Sequence, residues 1–217
     1  MIPCYNEENV IANSIHDVMQ QTKKLGWLTE VIVVNDGSTD STEDIVLELM
    51  IRYPNLYYST YKGNRGKGYA VYEGFRNCTF QLRLILDADL SVSPLELFTT
   101  KIPKGQYIIK GQRVQVESQP LYRVFVGKCW QIIVWIMTGM NLDSQCPYCL
   151  LNVPDEFYND LKIDGFAFDV ELLYKAKKLG IPIIKKKVMY FNDPSSSVRF
   201  RHTIQMFKDI FRIRKLY

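Results

Sequence analysis

Short apolar runs alternate with segments of helical spacing along this chain. Four runs rich in β-branched and other apolar residues predict strands: Glu30–Asn35, Leu56–Tyr61, Leu82–Asp87 and Gln106–Lys110. Asn9–Leu25 and Ser41–Arg52 have helical spacing, with Gly26 placed to end the first helix and side-chain oxygens from Ser41 onward placed to cap the second. The alternation predicts an α/β fold, a single Rossmann-like, mostly parallel sheet flanked by helices.

Length and composition fit one globular domain with a single core, since the chain has 217 residues, 47% of them apolar and 23% charged. Five cysteines, an odd number, argue against a secreted disulfide framework and favour a reducing, cytosol-facing setting. No signal peptide is recognisable at the start of the sequence. The most apolar stretch, Cys129–Leu142, is shorter than the roughly 20 residues that cross a membrane, so we expect it in a bilayer interface or as a buried helix.

Positive charge is concentrated at the C-terminal end. The net charge is +4, but residues 185–217 contain nine basic and only two acidic side chains. Within them Phe200, Ile204, Phe207 and Phe211 recur on one helical face, with basic residues beside or opposite. We expect a basic amphipathic helix that lies on an anionic membrane surface; a solvated basic helix, or one whose stripe packs on the core, is the alternative. Nucleic acid is not expected as a partner, because no recognition motif accompanies the basic helix.

Two carboxylates close the third predicted strand, in the run Leu86-Asp87-Ala88-Asp89. Ligands bind at the carboxyl ends of parallel strands, where loops and helix N-termini converge. Two acids separated by one residue in such a loop can share a divalent cation with a diphosphate, which suits Mg²⁺ or Mn²⁺. The same spacing occurs in ordinary solvated turns, so the position at a strand end is what favours a metal site.

Two further polar loops are candidates for nucleoside binding. After the first predicted strand, Asp36 can accept hydrogen bonds from a ribose or base, and Gly37 lets the backbone approach a ligand closely. Near the start of the chain, Tyr5 can stack on a base and Glu7 can bond its edge. Turn chemistry and helix capping explain the same residue types, so neither loop is decisive alone.

Two motifs resemble sites of other protein classes. The run Gly63-Asn64-Arg65-Gly66-Lys67-Gly68 lacks the spacing of a Walker phosphate loop, and the chain lacks a Rossmann dinucleotide fingerprint after its first strand. Cys146-Pro147-Tyr148-Cys149 matches a glutaredoxin-type redox motif, but it lies two-thirds along the chain without a surrounding βαβ pattern. A structural zinc site is disfavoured for want of a second ligand pair.

Taken in order, seven segments resemble the family 2 glycosyltransferases of the GT-A fold: PCYNEE, VVNDGSTDST, NRGKGYAVYEG, LDAD, KGQR, LDSQCP and FAFDVELL. The resemblance runs from Pro3 to about Tyr190 and is strongest to the polyprenyl-phosphate sugar transferases. DSQC followed by FAFDVELLY is similar to dolichyl-phosphate β-glucosyltransferases, and dolichyl-phosphate mannose synthases are the neighbouring possibility.

The resemblance implies roles for individual residues. Donor binding would involve the following positions: Pro3, Tyr5, Glu7, Asp36, Gly37, Asp87, Ala88 and Arg113. Asp89 would be the principal ligand of Mg²⁺ or Mn²⁺, with Asp87 contacting ribose or metal. Arg113 would lie near the donor diphosphate and Arg123 near the acceptor phosphate. Asp169 matches an aspartate that some members use as a base, and it also fits the start of a helix.

The chain departs from the glucosyltransferase pattern at Pro147 and Cys149, where the pattern has glycine and lysine. We expect a GT-A catalytic domain over residues 1–195, with its first strand truncated, and the basic helix over residues 196–217. The dolichol glucosyltransferases usually carry an N-terminal membrane helix, for which this sequence has no equivalent. It also lacks the Gln-x-x-Arg-Trp signature of processive polysaccharide synthases.

The sequence therefore predicts an inverting, metal-assisted hexosyltransferase that moves glucose from UDP-glucose to a polyisoprenyl (dolichyl) phosphate. It would be membrane-associated at the cytosolic face, at the endoplasmic reticulum in a eukaryote. Three alternatives stay open: a mannose synthase using GDP-mannose, a transferase to a soluble sugar hydroxyl, and an inactive nucleotide-sugar-binding module.

Overall fold

A computed structural model describes residues 1–97, 99–115, 121–191 and 200–217, without the side chains at positions 115, 121–123 and 200–204. The strands are β1 (Ile2–Cys4), β2 (Val31–Asn35), β3 (Leu56–Thr60), β4 (Leu82–Ile85), β5 (Tyr107–Gln115), β6 (Cys149–Asn152) and β7 (Ile183–Tyr190). The helices are α1 (Ile11–Leu25), α2 (Thr42–Arg52), α3 (Lys67–Asn77), α4 (Leu121–Thr138), α5 (Phe168–Lys178) and α6 (Phe200–Leu216). Short 3₁₀ helices cover Pro94–Leu97 and Asp155–Tyr158.

The strands form a three-stranded parallel sheet and a four-stranded mixed sheet, which lie edge to edge as one continuous layer. β1, β2 and β3 pair in parallel, while β6 pairs antiparallel with both β4 and β5, and β5 pairs in parallel with β7. Met1 connects the two groups, because its amino group donates to the Leu84 carbonyl (2.7 Å) and its carbonyl accepts from the Leu86 amide (3.1 Å). The resulting order is β3-β2-β1-β4-β6-β5-β7, which confirms the predicted α/β class.

Helices cover both faces of this sheet. Adjacent residues of β6 show the two layers, since Leu150 packs into the core with α1 and α2, whereas Leu151 packs into the core with α3 to α6. Such alternation is expected of a strand buried on both sides. The core that contains Leu151 also includes Met206, Ile210 and Ile213 of α6.

Of three local predictions, two need correction and one is confirmed. Ser41 makes no capping bond; Asp40 Oδ1 instead accepts from the Thr42 amide (3.1 Å) and hydroxyl (2.6 Å). The strand predicted at Gln106–Lys110 continues to Gln115 because β7 pairs with it over that length, so Arg113 is a strand residue. Gly26 does end α1, with a φ of 64°.

The apolar stripe predicted for the C-terminal helix lies on its outer side where the structure describes it. Phe207 and Phe211 are exposed, and the buried residues in the described part of α6 are Met206, Asp209, Ile210 and Ile213. The side chains of Phe200 and Ile204 lie outside the described part. Across the described residues, we find no helix with the length and apolar character needed to traverse a bilayer.

Candidate active site

The loops that follow β1 and β2 are hydrogen-bonded into one unit at the carboxyl edge of the sheet. Asn6 Oδ1 accepts from the Thr39 amide (2.8 Å), and Asp40 Oδ2 accepts from the Glu8 amide (3.1 Å). In return, the Ser41 amide donates to Glu8 Oε2 (3.0 Å). The two loops proposed from sequence to hold a nucleoside are therefore neighbours.

Tyr5 is the most accessible of the residues predicted to bind the nucleoside. It follows the buried strand residues Pro3 and Cys4 and is 43% exposed. Glu7 starts the entry into α1, since its carbonyl accepts from the Ile11 amide (2.9 Å) and its amide donates to Thr42 Oγ1 (2.9 Å). An aromatic ring at the mouth of these loops is suitable for stacking on a base.

Asp36 anchors the glycine-rich loop. Its buried carboxylate accepts from the Tyr61 hydroxyl (2.9 Å), the Arg65 amide (2.6 Å) and the Gly66 amide (2.8 Å). Gly37 beside it has a φ of 69°, and a Cβ there would lie 2.5 Å from the Gly63 carbonyl carbon. Because no side chain fits that space, Gly37 and Asp36 together fix the path of the loop.

Lys67, which follows this loop, reaches the carboxylate pair. Its Nζ donates to Asp87 Oδ1 at 2.5 Å, and both side chains are about a quarter exposed. From the sequence, the glycine-rich segment was recognised as one of the family-like segments and not as a Walker motif, but no role was assigned to Lys67. A basic residue within the segment was the available indication, but its partner lies 20 positions away.

Asp87 and Asp89 lie in a tight turn. The Leu90 amide donates to the Asp87 carbonyl (3.1 Å), and Leu90 has a φ of 48°, which is uncommon for a leucine. Such strained residues concentrate at functional sites. Burial, and next the negative charge of Asp87, raise the pKa of Asp89. A cation bound between the two acids would relieve this repulsion.

Ala88 contributes through its backbone. Its side chain is buried, and its carbonyl accepts from the Ser14 hydroxyl of α1 (2.5 Å). This bond fixes the middle of the Asp87–Asp89 turn against the helix that follows the nucleoside loop. The turn and the nucleoside loop are thus held relative to each other.

Arg113 is held by Asp143. Its Nε donates to Asp143 Oδ2 (2.7 Å) and its Nη2 to Oδ1 (2.9 Å), a bidentate pair. Burial opposes the charged form, but Asp143 raises the pKa of Arg113 above its ordinary value. Arg113 and Asp143 also line a pocket with Gln112, Val114, Gln131 and Lys187. The lining therefore contains two cations and the Asp143 carboxylate, a net charge of +1 that favours an anionic ligand.

Tyr190, at the end of β7, lies beside Arg113 and pairs with Val92, three residues after Asp89. The Arg113 guanidinium carbon is 5.2 Å from the centre of its ring. Burial raises the pKa of Tyr190; the charge of Arg113 opposes that rise, and the charges of Asp89 and Asp87 add to it. The structure thus places Arg113 and the Asp87–Asp89 turn close enough to act electrostatically on the same tyrosine. Tyr190 and Asp143 were not identified from sequence.

Asp169 lies in the first turn of α5, where Ala167, and not Asp169, occupies the capping position. Its Oδ2 is 3.4 Å from the fully buried Lys110 Nζ, which also donates to the Cys146 carbonyl (2.6 Å). Burial raises the pKa of Asp169 to about 6, although Lys110 and Lys67 act in the opposite direction. The position of Lys67 between Asp87 and Asp169 connects this buried pair to the carboxylate turn.

The cysteines of the redox-like motif are buried. Burial raises the pKa of Cys146 to about 11 and that of Cys149 to about 12. Reactive cysteines have a lowered thiol pKa and some exposure, so these thiols are structural. Cys149 is a residue of β6, and the sequence's rejection of redox chemistry agrees with this geometry.

The remaining predicted residue, Arg123, belongs to α4, but its side chain lies outside the described residues. Among the side chains that are described, none form a group of three or more His, Cys, Asp or Glu able to hold a metal ion. A divalent ion at Asp87 and Asp89 would therefore need oxygens from water and substrate. Mg²⁺ and Mn²⁺ commonly bind in that way, so the donor set fits them.

Residues 1–149 match the model of Glycosyl transferase family 2. A dolichyl-phosphate beta-glucosyltransferase of Dictyostelium discoideum is 32% identical over 240 residues, covering 100% of this chain and 73% of that protein. The mouse protein of the same name is 31% identical over 241 residues, covering 100% of this chain and 74% of its own length. The yeast protein of that name, from Saccharomyces cerevisiae, is 28% identical with the same coverage.

Solved structures with the same fold include glucosyl-3-phosphoglycerate synthase from Mycobacterium tuberculosis. Its complex with UDP superposes with a TM-score of 0.69 at 17% identity, covering 98% of this chain and 76% of that one. Its complex with Mn²⁺, UDP-glucose and phosphoglyceric acid gives a TM-score of 0.67, covering 99% of this chain and 78% of that one. The match to the family model and the relatives that align along the whole chain show that the chain is a glycosyltransferase, the solved structures show a GT-A fold, and the chain belongs to glycosyl transferase family 2.

Proposed function

We propose that this glycosyltransferase moves glucose from UDP-glucose to a polyisoprenyl (dolichyl) phosphate, with inversion at the sugar carbon and assistance from Mg²⁺ or Mn²⁺. The nearness of Arg113 and of the Asp87–Asp89 turn to Tyr190 is the observation that carries this proposal. The relatives named dolichyl-phosphate beta-glucosyltransferase, which align along the whole chain, favour this donor and acceptor over GDP-mannose.

In this mechanism the protein positions charge and does little proton transfer. Tyr5 and the loop held by Asp36 would bind the nucleoside. Asp89, with Asp87, would hold the divalent ion, which stabilises negative charge on the leaving diphosphate when bound. Arg113 supplies a fixed positive charge nearby, and preorganised charge of this kind is usually the largest contribution to catalysis.

The acceptor determines whether a base is needed. A phosphate monoester has a second pKa of about 6 and is already an anion at pH 7, so it needs a positive pocket more than a base. The pocket that contains Arg113 and Lys187 fits that requirement, and Arg123 would add to it. A sugar hydroxyl acceptor would instead need a base, and the pKa of about 6 makes Asp169 the candidate.

We further propose that the enzyme works at the cytosolic face of a membrane, the endoplasmic reticulum in a eukaryote. The acceptor is a lipid, and the described part of α6 exposes Phe207 and Phe211 beside Lys208, Arg212 and Lys215. Aromatic and basic side chains on one helix are typical of attachment to anionic lipid.

A transfer assay with radiolabelled UDP-glucose, dolichyl phosphate and Mn²⁺ tests the donor and the acceptor. We expect lipid-extractable label that is lost without the metal. Parallel reactions with GDP-mannose and with soluble sugars test the alternatives. Label in the mannose or soluble products, with none in the lipid fraction, would reject the proposal.

Asp89→Ala tests the metal ligand. We expect at least a thousandfold loss of kcat, since removing one electrostatic contact to developing charge costs about 10²–10³ and here the ion is lost too. The circular-dichroism spectrum should not change, because the described hydrogen bonds of the Asp89 carboxylate are local, to Ser91. Asp17→Ala, on the exposed side of α1, is the control and should keep full activity. Unfolding of the Asp89→Ala chain would contradict the assignment.

A further inference from the structure

Helix α4 presents a large apolar face to solvent. Phe125, Ile132, Trp135 and Ile136, together called the α4 face, are 69%, 54%, 56% and 65% exposed. Their spacing places them on one side of the helix, opposite the buried residue Val134. Contiguous exposed apolar surface of this kind is rare on soluble monomers and marks an interaction site.

The exposed charged side chains in the described parts of α4 and α6 are all basic. The sequence of α4 contains no acidic residue, and the single acid of α6, Asp209, is buried and bonded to Gln205. The two helices are neighbours, since the Trp130 and Phe207 rings lie 6.0 Å apart. Around them the exposed basic side chains are Lys128, Lys208, Arg212, Arg214 and Lys215.

The α4 face also adjoins the basic pocket. Gln131 lines that pocket with Arg113 and Lys187, and the next residue along α4 is Ile132 of the face. An acceptor whose phosphate enters the pocket would thus have its hydrocarbon chain beside an apolar surface.

We propose that the α4 face docks into the interfacial layer of an anionic membrane, with the basic residues of α4 and α6 at the level of the lipid headgroups. This inference rests on the proposed lipid acceptor. It adds which surface of the protein contacts the membrane and how the pocket with Arg113 and Lys187 is oriented relative to the membrane. Aromatic and aliphatic side chains flanked by Lys and Arg are what such a layer binds. A second copy of the chain fits less well, because two such surfaces would bring cations against cations.

Vesicle flotation of the full chain, without donor or acceptor, tests the docking surface. We expect the protein to float with phosphatidylcholine vesicles that contain about 30% phosphatidylserine, and to bind phosphatidylcholine alone at least tenfold more weakly, because each basic residue adds to attraction by anionic lipid. Ile132→Glu with Ile136→Glu should reduce binding to the anionic vesicles at least tenfold.

Ile51→Glu is the matched control, since Ile51 is 87% exposed on α2 and lies outside the α4 face. It should bind vesicles as the original chain does. Equal loss in the control, or unchanged flotation of the α4 double variant, would overturn the proposal. So would a wild-type dimer that the α4 variant converts to a monomer while neither floats. Circular dichroism checks that each variant is folded.

The flotation result is independent of the transfer reaction. Vesicle binding through the α4 face with no transfer to dolichyl phosphate would reject the proposed acceptor and keep the docking surface. Transfer to detergent-solubilised dolichyl phosphate without any vesicle binding would reject the docking surface and keep the acceptor.

Discussion

The buried pair of Asp169 and Lys110 shows how single residues set the electrostatics of this site. Both are almost fully removed from water, yet each is within reach of an opposite charge. Burial dominates for Asp169, whose pKa rises from 3.8 to about 6. Removing one partner of a buried ion pair usually lowers the free energy of unfolding by more than the intact pair contributes, because the other charge is left buried without compensation.

The raised pKa of Asp169 predicts a pH dependence of stability. Between pH 4 and 6 the folded chain holds a proton that the unfolded chain has lost, so this group's contribution falls as the pH rises through that range. The loss amounts to about 3 kcal/mol by pH 7, from the difference between 3.8 and about 6. Asp169→Asn combined with Lys110→Met removes both charges, and we expect its stability to fall correspondingly less from pH 4 to pH 7.

Urea unfolding at a series of pH values measures this difference. Asp17→Asn, at an exposed position on α1, is the control and should follow the original chain. If the double variant loses as much stability between pH 4 and 7 as the original chain, the raised pKa of Asp169 is wrong.

Strand register decides where the buried cation is found. Lys110 of β5 is paired with Cys149 of β6, and directly opposed residues of antiparallel strands lie on the same face with Cβ atoms about 4.5–5.5 Å apart. The glucosyltransferase pattern that the sequence resembles would have lysine at the position of Cys149. The strand pair thus offers two neighbouring places from which a lysine can approach Asp169.

A charge exchange tests this register. Lys110→Cys should destabilise the chain by about 3–5 kcal/mol, because Asp169 loses its partner. Cys149→Lys alone should also destabilise it, since two buried cations would then be adjacent. The double variant should recover most of the loss, which denaturant unfolding at pH 7 would reveal as strong non-additivity. If the double variant is no more stable than Lys110→Cys, a lysine at position 149 does not replace Lys110 as the partner of Asp169.

At the scale of the whole molecule, α6 belongs to the main core. Ile210 and Ile213 are fully buried in the cluster that also contains α5 residues, and the Tyr217 hydroxyl donates to Glu171 Oε1 (3.1 Å). Residues 196–199 lie outside the described part, so the boundary expected at residue 195 stays a prediction. We expect the helix and the catalytic domain to unfold together.

Thermal unfolding of two α6 variants tests this integration. Ile210→Ala should lower the free energy of unfolding by about 2–5 kcal/mol, because it opens a cavity in the core. Phe211→Ala, at a position 58% exposed, should change stability by less than about 0.5 kcal/mol. Far-ultraviolet circular dichroism and tryptophan fluorescence should report a single coincident transition in both. Separate melting of α6, or equal costs for the two variants, would show that the helix is not part of the core.

The sequence by itself determined the fold class and most of the carboxyl-edge residues. Asp36, Asp87 and Asp89 were found because apolar periodicity is local, and the residues after parallel strands must meet at one edge. The motif order indicated the family for the same reason, since each segment is short and keeps its own spacing. The cysteine motif was correctly set aside from its surroundings.

Only the tertiary structure decided which charges are partners. Lys67 pairs with Asp87, Asp143 with Arg113, and Lys110 with Asp169, across 20, 30 and 59 positions. The continuation of β5 through Arg113 likewise depends on β7, far along the chain. Such pairings follow from strand register and helix packing, which no local pattern specifies. For the same reason, the sequence left two possibilities for the apolar stretch Cys129–Leu142, a bilayer interface or a buried helix. In the structure, packing of α4 leaves one of its faces exposed.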